Sequence, residues 1–150
     1  MTGHARRRAL LLWCGGGLIL NFAWELLQRP FFDGYVGGKT NLLGCFVASL
    51  GDVGLLAALY VVLWLATGDW DWASHMTLAR CLLLASAGFI AATLVEWHGL
   101  SNARWSYRLA MPLISGLDVG LVPVLQMVLV PGALVLINLG LVRFGQEPRR

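Results

Sequence analysis

The sequence predicts an all-α fold: a compact bundle of four transmembrane helices forming a single integral membrane domain over 1–150. Three observations carry this reading. The chain is 58% hydrophobic and 13% charged, against roughly 45–50% and about 25% in soluble domains, and its mean hydropathy is +0.71. Its charges gather at the ends of apolar stretches. Four of those stretches reach the roughly 20 residues that a helix needs to cross a bilayer, and short polar connections separate them.

The first predicted helix runs over about 9–28. Arg6, Arg7 and Arg8 precede its apolar run as in a signal peptide, but no small-residue cleavage site follows. Leu11-Leu12-Trp13-Cys14 imitates a lipoprotein cleavage site, yet Trp13 is too large for the position before the cysteine. The helix is expected to be retained. Helix two is expected over about 43–67 and helix three over about 77–97. The connection between them holds Asp69-Trp70-Asp71-Trp72, which reads as an interfacial turn with an aromatic belt. The fourth helix lies within about 112–142, where Pro112, Pro123 and Pro131 suggest a bent rod, tolerated where neighbouring helices satisfy the freed backbone groups. No internal repeat and no soluble domain is visible.

The net charge of +3 comes largely from arginines near the two termini. A nucleic-acid surface would spread its basic residues over a fold with aromatics between them, so topology and anionic headgroups account for these arginines and no nucleic-acid partner is expected. Of the eleven Lys and Arg residues, seven fall with the termini and the second connection, and four (Arg29, Lys39, Arg104 and Arg108) with the first and third. The positive-inside bias then places both termini in the cytoplasm. Cys14, Cys45 and Cys81 are odd in number and form no C-x-x-C, which gives little support to thiol–disulfide chemistry.

Functional interest centres on Glu25, Asp52 and Glu96. A carboxylate at the centre of a membrane helix costs on the order of 3 kcal/mol, so three acids in or beside spanning segments call for a polar site. Asn21, Glu25 and Gln28 are spaced i, i+4, i+7 and share one helix face; Cys45, Ser49 and Asp52 repeat that spacing. Glu96 ends helix three one turn after Thr93, while Ser115, Asp118 and Gln126 are expected to descend along helix four. By the predicted topology all of these meet in the outer half of the bundle, with Asp52 deepest and Glu96 at the rim. Gly51 and Gly54 flank Asp52 and permit close helix approach. The candidate catalytic residues are Glu25, Asp52 and Glu96. The candidate binding residues are Asn21, Trp24, Gln28, Trp97, Trp105, Tyr107 and Gln126. Trp and Tyr in such positions also serve as interfacial anchors, and each acid also has a structural reading as a paired or solvated group. His98 stands alone on its side, and no zinc-ligand spacing appears. No cofactor is predicted. A hard metal cation is compatible with the carboxylates, though two or three acids scarcely specify one.

The string Asn21-x-x-Trp24-Glu25-x-x-Gln28, followed by Gly51-Asp52, Glu96-Trp97, Trp105-x-Tyr107, Met111-Pro112 and Pro123-x-x-Gln126, resembles a family of small bacterial four-helix integral membrane proteins. The resemblance runs from about Asn21 to Pro131. It implies the same helix count and points to the same residues, and carries no activity, substrate or cofactor with it. The architecture is also similar to that of the four-helix sterol-isomerase-like superfamily, in which acids of the bundle face a lipophilic ligand; none of that superfamily's motifs aligns here.

The leading expectation is a pocket that binds, or acts by acid/base chemistry on, an amphiphilic lipid-like molecule. Asp52 and Glu25 would serve as acid and base, and Asn21, Gln28 and Gln126 would orient the polar end. Two other readings stay open: a proton or metal-cation binding or transport protein, and a structural subunit of a larger membrane complex. Membrane lipids are expected partners, and both a lipophilic small-molecule substrate and a homo-oligomer are compatible with the chain.

Overall fold

The computed structural model describes residues 11–35 and 42–144. Four helices dominate. Helix α1 (Gly17–Gln28) is entered through a π-helical turn, Leu12–Gly16, and is followed by α2 (Leu42–Thr67), α3 (Leu78–Ser101) and α4 (Leu121–Phe144). Three of them are long and apolar enough to cross a membrane: Leu42–Thr67, Leu78–Ser101 and Leu121–Val142, of 26, 24 and 22 residues with mean hydropathy of 2.0 to 2.1. At about 1.5 Å per residue each exceeds the roughly 30 Å of a hydrocarbon core, which is consistent with a membrane protein. The described part of the first helix is shorter, with five π-helical and twelve α-helical residues. Leucines and isoleucines such as Ile19, Leu27, Leu65, Leu82, Ile90 and Leu136 point away from the bundle on all sides, as lipid-facing positions require. The arginines before residue 11, and Lys39, Gly37, Gly38, Arg149 and Arg150, lie outside the described residues.

The all-helical expectation needs a correction, because two small antiparallel sheets join the helix ends. Strand β1 (Phe32–Tyr35) pairs with β2 (Trp105–Tyr107), and β3 (Leu113–Ile114) pairs with β4 (Val119–Gly120). The first sheet ties the α1–α2 connection to the one after α3, so the end of α1, the start of α2, the end of α3 and the start of α4 share one end of the bundle. The second is a hairpin where the sequence suggests the top of helix four. Its turn holds Ser115-Gly116-Leu117-Asp118, with Gly116 and Asp118 at φ of 81° and 55°; Gly and Asp tolerate that left-handed region, and these residue types favour turns over helix. Pro112 therefore precedes the helix altogether. Pro123 falls in the first turn of α4, where no helical N–H is needed.

Only Pro131 interrupts α4. Its missing N–H leaves the Met127 carbonyl, four residues earlier, without its helical donor. That carbonyl oxygen is the atom nearest Gly88 of α3: a Cβ on Gly88 would lie 2.2 Å from it. The proline and the glycine together let the two backbones approach, as small residues do at membrane helix contacts. By contrast, Gly51 and Gly54 have no neighbouring atom within 4 Å of a built Cβ, so the close approach expected around Asp52 does not occur there.

The other end of the bundle is closed by aromatic rings. Trp72 is wholly buried, stacked near Tyr60 and Trp13 at ring-centroid distances of 5.2 and 5.8 Å, and its indole N–H donates to the Tyr60 carbonyl at 3.2 Å. The Tyr60 hydroxyl donates to the Trp70 carbonyl at 2.7 Å. The Asp69–Trp72 segment is thus a plug rather than an interfacial belt, because its short 3-10 turn, Trp72–Ser74, folds the indole inward. Asn138 of α4 anchors the plug by donating to Ser74 Oγ at 3.0 Å. Arg80 of α3 holds Asp69 at 3.0 Å.

Candidate functional site

At the open end, the i, i+4, i+7 face of α1 turns inward, and Asn21, Glu25 and Gln28 are all buried. Gln126, on the first turns of α4, lies against them and is the hub of a polar network. Its amide nitrogen donates to Asn21 Oδ1 at 2.9 Å and to Asp52 Oδ2 at 2.8 Å. Its carbonyl oxygen accepts from the Gln28 amide at 3.2 Å, and that amide also donates to Glu25 Oε1. A chain of side chains therefore runs Asp52–Gln126–Gln28–Glu25 and joins α2, α4 and α1. On α2, the expected face is also inward: Ser49 is fully buried and donates to the Cys45 carbonyl at 2.7 Å.

Glu96 has a different set of partners. Its Oε2 accepts from the Trp105 indole at 3.1 Å and from the Tyr107 hydroxyl, and the Tyr107 oxygen accepts the Gly120 N–H at 2.9 Å. Burial first, and the Glu96 carboxyl beside it second, push the Tyr107 phenol above its ordinary range. Glu96 is only 6% exposed, so it is not a solvated acid at the rim. The β2 strand folds back over the end of α3 and covers it. Gly99 makes this possible, since a Cβ there would fall 2.0 Å from the Trp105 ring.

Glu25, Asp52 and Glu96 line one cavity of about 710 Å³, within the range of about 300–1,000 Å³ typical of small-molecule pockets. Gln28 and Phe32 belong to the same wall from the α1 side, Pro123, Gln126 and Met127 from α4, and Ala92 and Val95 from α3. Along α2 the wall is made by Leu43, Gly44, Val47, Ala48, Gly51 and Leu55. The helices pair closely as α1 with α2 and α3 with α4, and α2 meets α3 and α4 less closely along the cavity. Asp52 is not the most buried of the three acids. It is partly exposed, whereas Glu25 is 3% exposed, because Asp52 sits on the cavity-facing side of α2.

Several expected site residues stand elsewhere. Asn21 lies behind the wall and reaches Asp52 only through Gln126. Trp24 packs against the main apolar core of the bundle rather than the cavity wall, since it is on the adjacent face of α1 from Glu25. Trp97 is 45% exposed and donates to the Leu117 carbonyl at 2.7 Å, fastening the β3–β4 hairpin. Tyr107 holds Glu96 from outside the wall, while Trp105 is part of the wall. Ser115 and Asp118 are exposed in the hairpin turn and do not descend into the bundle. His98 is exposed, its ring 3.3 Å from Asn102.

Arg104 also lines the cavity, a role its sequence position beside the aromatic rim only hinted at. The α2 wall left a clearer signal. Gly44, Ala48, Gly51 and Leu55 repeat at i, i+4, i+7, i+11 and form one stripe of mostly small side chains. Among the described residues, no group of three His, Cys, Asp or Glu side chains could hold a metal ion. The wall nevertheless offers carboxyl groups that can exchange protons, amides that orient them, and apolar side chains for a hydrophobic body. No known protein family, no curated protein and no solved structure matches the chain.

Proposed function

We propose that this chain is a small integral membrane protein of four spans, with both termini cytoplasmic in a bacterial inner membrane, whose cavity binds an amphiphilic, lipid-like molecule and acts on it by acid/base chemistry. One observation carries the reading: three carboxyl groups held by amides and aromatics converge on a single cavity whose remaining wall is apolar apart from Arg104. The polar end of the ligand meets Asp52, Glu25 and Glu96, and its apolar part lies against Val47, Leu55, Val95 and Met127. Asp52 and Glu25 act as the proton donor and acceptor, linked through Gln126 and Gln28, and the Trp105 indole keeps Glu96 turned to the same space.

A transported proton or cation would also have to pass the closed end, where Trp13, Tyr60 and Trp72 pack ring against ring, so the geometry favours binding over passage. A purely structural role for the network is a poor return on burying acids, because interhelical hydrogen bonds in membranes average about 0.6 kcal/mol.

Lipid analysis of the gently extracted protein tests the proposal. A discrete amphiphile should copurify with the natural chain and be depleted in Asp52→Asn and Glu25→Gln. Asn at position 52 retains an acceptor for Gln126, so Asp52→Asn should keep folded stability within about 1 kcal/mol. If both variants keep the bound amphiphile and the cellular phenotype, the proposal is wrong.

A further inference from the structure

The hydrogen-bond inventory of the cavity wall is unbalanced, and the imbalance specifies a ligand. A neutral amide carries two N–H donors, an indole one and a phenol one. Both Gln126 donors are spent on Asn21 and Asp52, and both Gln28 donors on Glu25 and Gln126. The Trp105 and Tyr107 donors both end on the same oxygen of Glu96. What remains beside these carboxyl groups is acceptors: among the described residues no hydrogen bond reaches Asp52 Oδ1 or Glu96 Oε1, and the unspent donors, Asn21 Nδ2 behind the wall and the Arg104 guanidinium in it, bond to neither. Gln28 Oε1 is fully buried without a hydrogen-bond partner, in a side chain only 3% exposed that belongs to the cavity wall. An unpaired buried acceptor costs about 1–3 kcal/mol, so a ligand donor met by a turn of the Gln28 amide toward the cavity removes that penalty on binding.

We infer that the cavity takes an amphiphile whose head group carries a primary ammonium, directed at Asp52 and the Gln28 carbonyl, with its chain leaving between α2 and α3. The inference rests on the amphiphile reading above and narrows it to one head group. An ammonium brings three donors and a positive charge to a wall holding three carboxyl groups. Asp52 and Gln28 are neighbours there, since both are bonded to Gln126. Arg104, the guanidinium of the wall, makes no ion pair among the described residues and does not neutralise them. The exit for the chain is apolar and open: Leu43 and Val47 of the α2 wall are 68% and 59% exposed on the flank of the bundle.

The test titrates the full-length protein in maltoside micelles with decylammonium, decyldimethylammonium, decyltrimethylammonium, decanol and decanoate, reading affinity from the rise in unfolding temperature. The first three have one charge and three, one and no N–H donors. Affinity should fall along that series, by roughly tenfold from the first to the third, and decanol and decanoate should bind more weakly than decylammonium. Asp52→Asn should abolish the preference for the primary amine, and Gln28→Leu should reduce it. Equal binding of the three ammonium probes, or tighter binding of decanol or decanoate, overturns the inference and leaves the amphiphile reading standing. If none of the five binds, that reading falls with it. The comparison among probes needs only the unaltered chain, so a variant that fails to fold does not rescue the idea.

Discussion

Where α2 turns into α3, Trp72 is completely buried beneath Trp13 and Tyr60, and Trp64 meets Trp70 at 4.6 Å between ring centroids. At the opposite end, the same four helices surround a cavity of about 710 Å³ walled by three acids. The first end is filled by aromatic side chains that each bury about 150–250 Å²; the Tyr60 hydroxyl and the Trp72 indole find backbone acceptors nearby, while the Trp13 indole N–H is buried without one. The second end draws its polar side chains from all the helices, joins those of α1, α2 and α4 through Gln126, and leaves a cavity beside them. The contrast separates two ends of one bundle: one is filled by packed rings, and the other holds vacant volume beside carboxyl groups, the space where the proposed ligand would sit.

If this division is right, the largest loss of stability should come from the closed end. Trp72→Ala should cost about 3–5 kcal/mol, measured by denaturation in micelles, while the binding of decylammonium per folded molecule stays unchanged. Comparable losses on enlarging the open cavity, for example with Leu55→Ala, would break the comparison. Next in size is Gln126→Leu. It strands Asn21, Asp52 and Gln28 together and should cost about 2–3 kcal/mol, with loss of amphiphile binding. Retention of binding in that variant would show that the network is scaffolding alone.

Gly99→Ala should cost about 1–3 kcal/mol through overpacking, because the new Cβ meets the Trp105 ring at 2.0 Å. It should also shift Trp fluorescence as the indole leaves Glu96; an unchanged spectrum would mean that Trp105 is not held as described. The smallest effect belongs to Asp69 at the closed end. Burial alone would raise its pKa, but hydrogen bonds from the Asp71 N–H, Arg80 and His75 together hold it below the ordinary carboxylate range. A carboxyl with a depressed folded pKa contributes stability above its unfolded value of about 3.9 and loses it as the pH falls through the folded value. Asp69→Asn should therefore cost at most about 1 kcal/mol at neutral pH and flatten the loss of stability below about pH 4. A variant with an unaltered acid profile would assign that pH dependence elsewhere.

The helices were legible because hydrophobicity and length are local properties, and the polar faces because Asn21, Glu25 and Gln28 repeat at helical spacing on α1. The hairpin was misread: Leu113–Val119 is apolar enough to pass for helix, and only Gly116 and Asp118 at positive φ reveal the turn. Trp24 and Trp97 were equally ambiguous, since an indole beside an acid in sequence points about 100° away from it on a helix and can meet an entirely different neighbour. The burial of Glu96 could not be read at all, because its cover arrives from β2, nine and eleven residues further on, across a reversal of the chain.

The sequence by itself determined that the first three helices would bring Glu25, Asp52 and Glu96 to the same end of the bundle, because helix period and chain direction alone set which residues share a face and a depth. Tertiary structure decided which of those acids faces open space, because that depends on α2 meeting α3 less closely along the cavity while Pro131 and Gly88 draw α4 and α3 together. It also decided which acceptors stay unpaired, since a hydrogen bond between helices depends on distances that no spacing along the chain encodes.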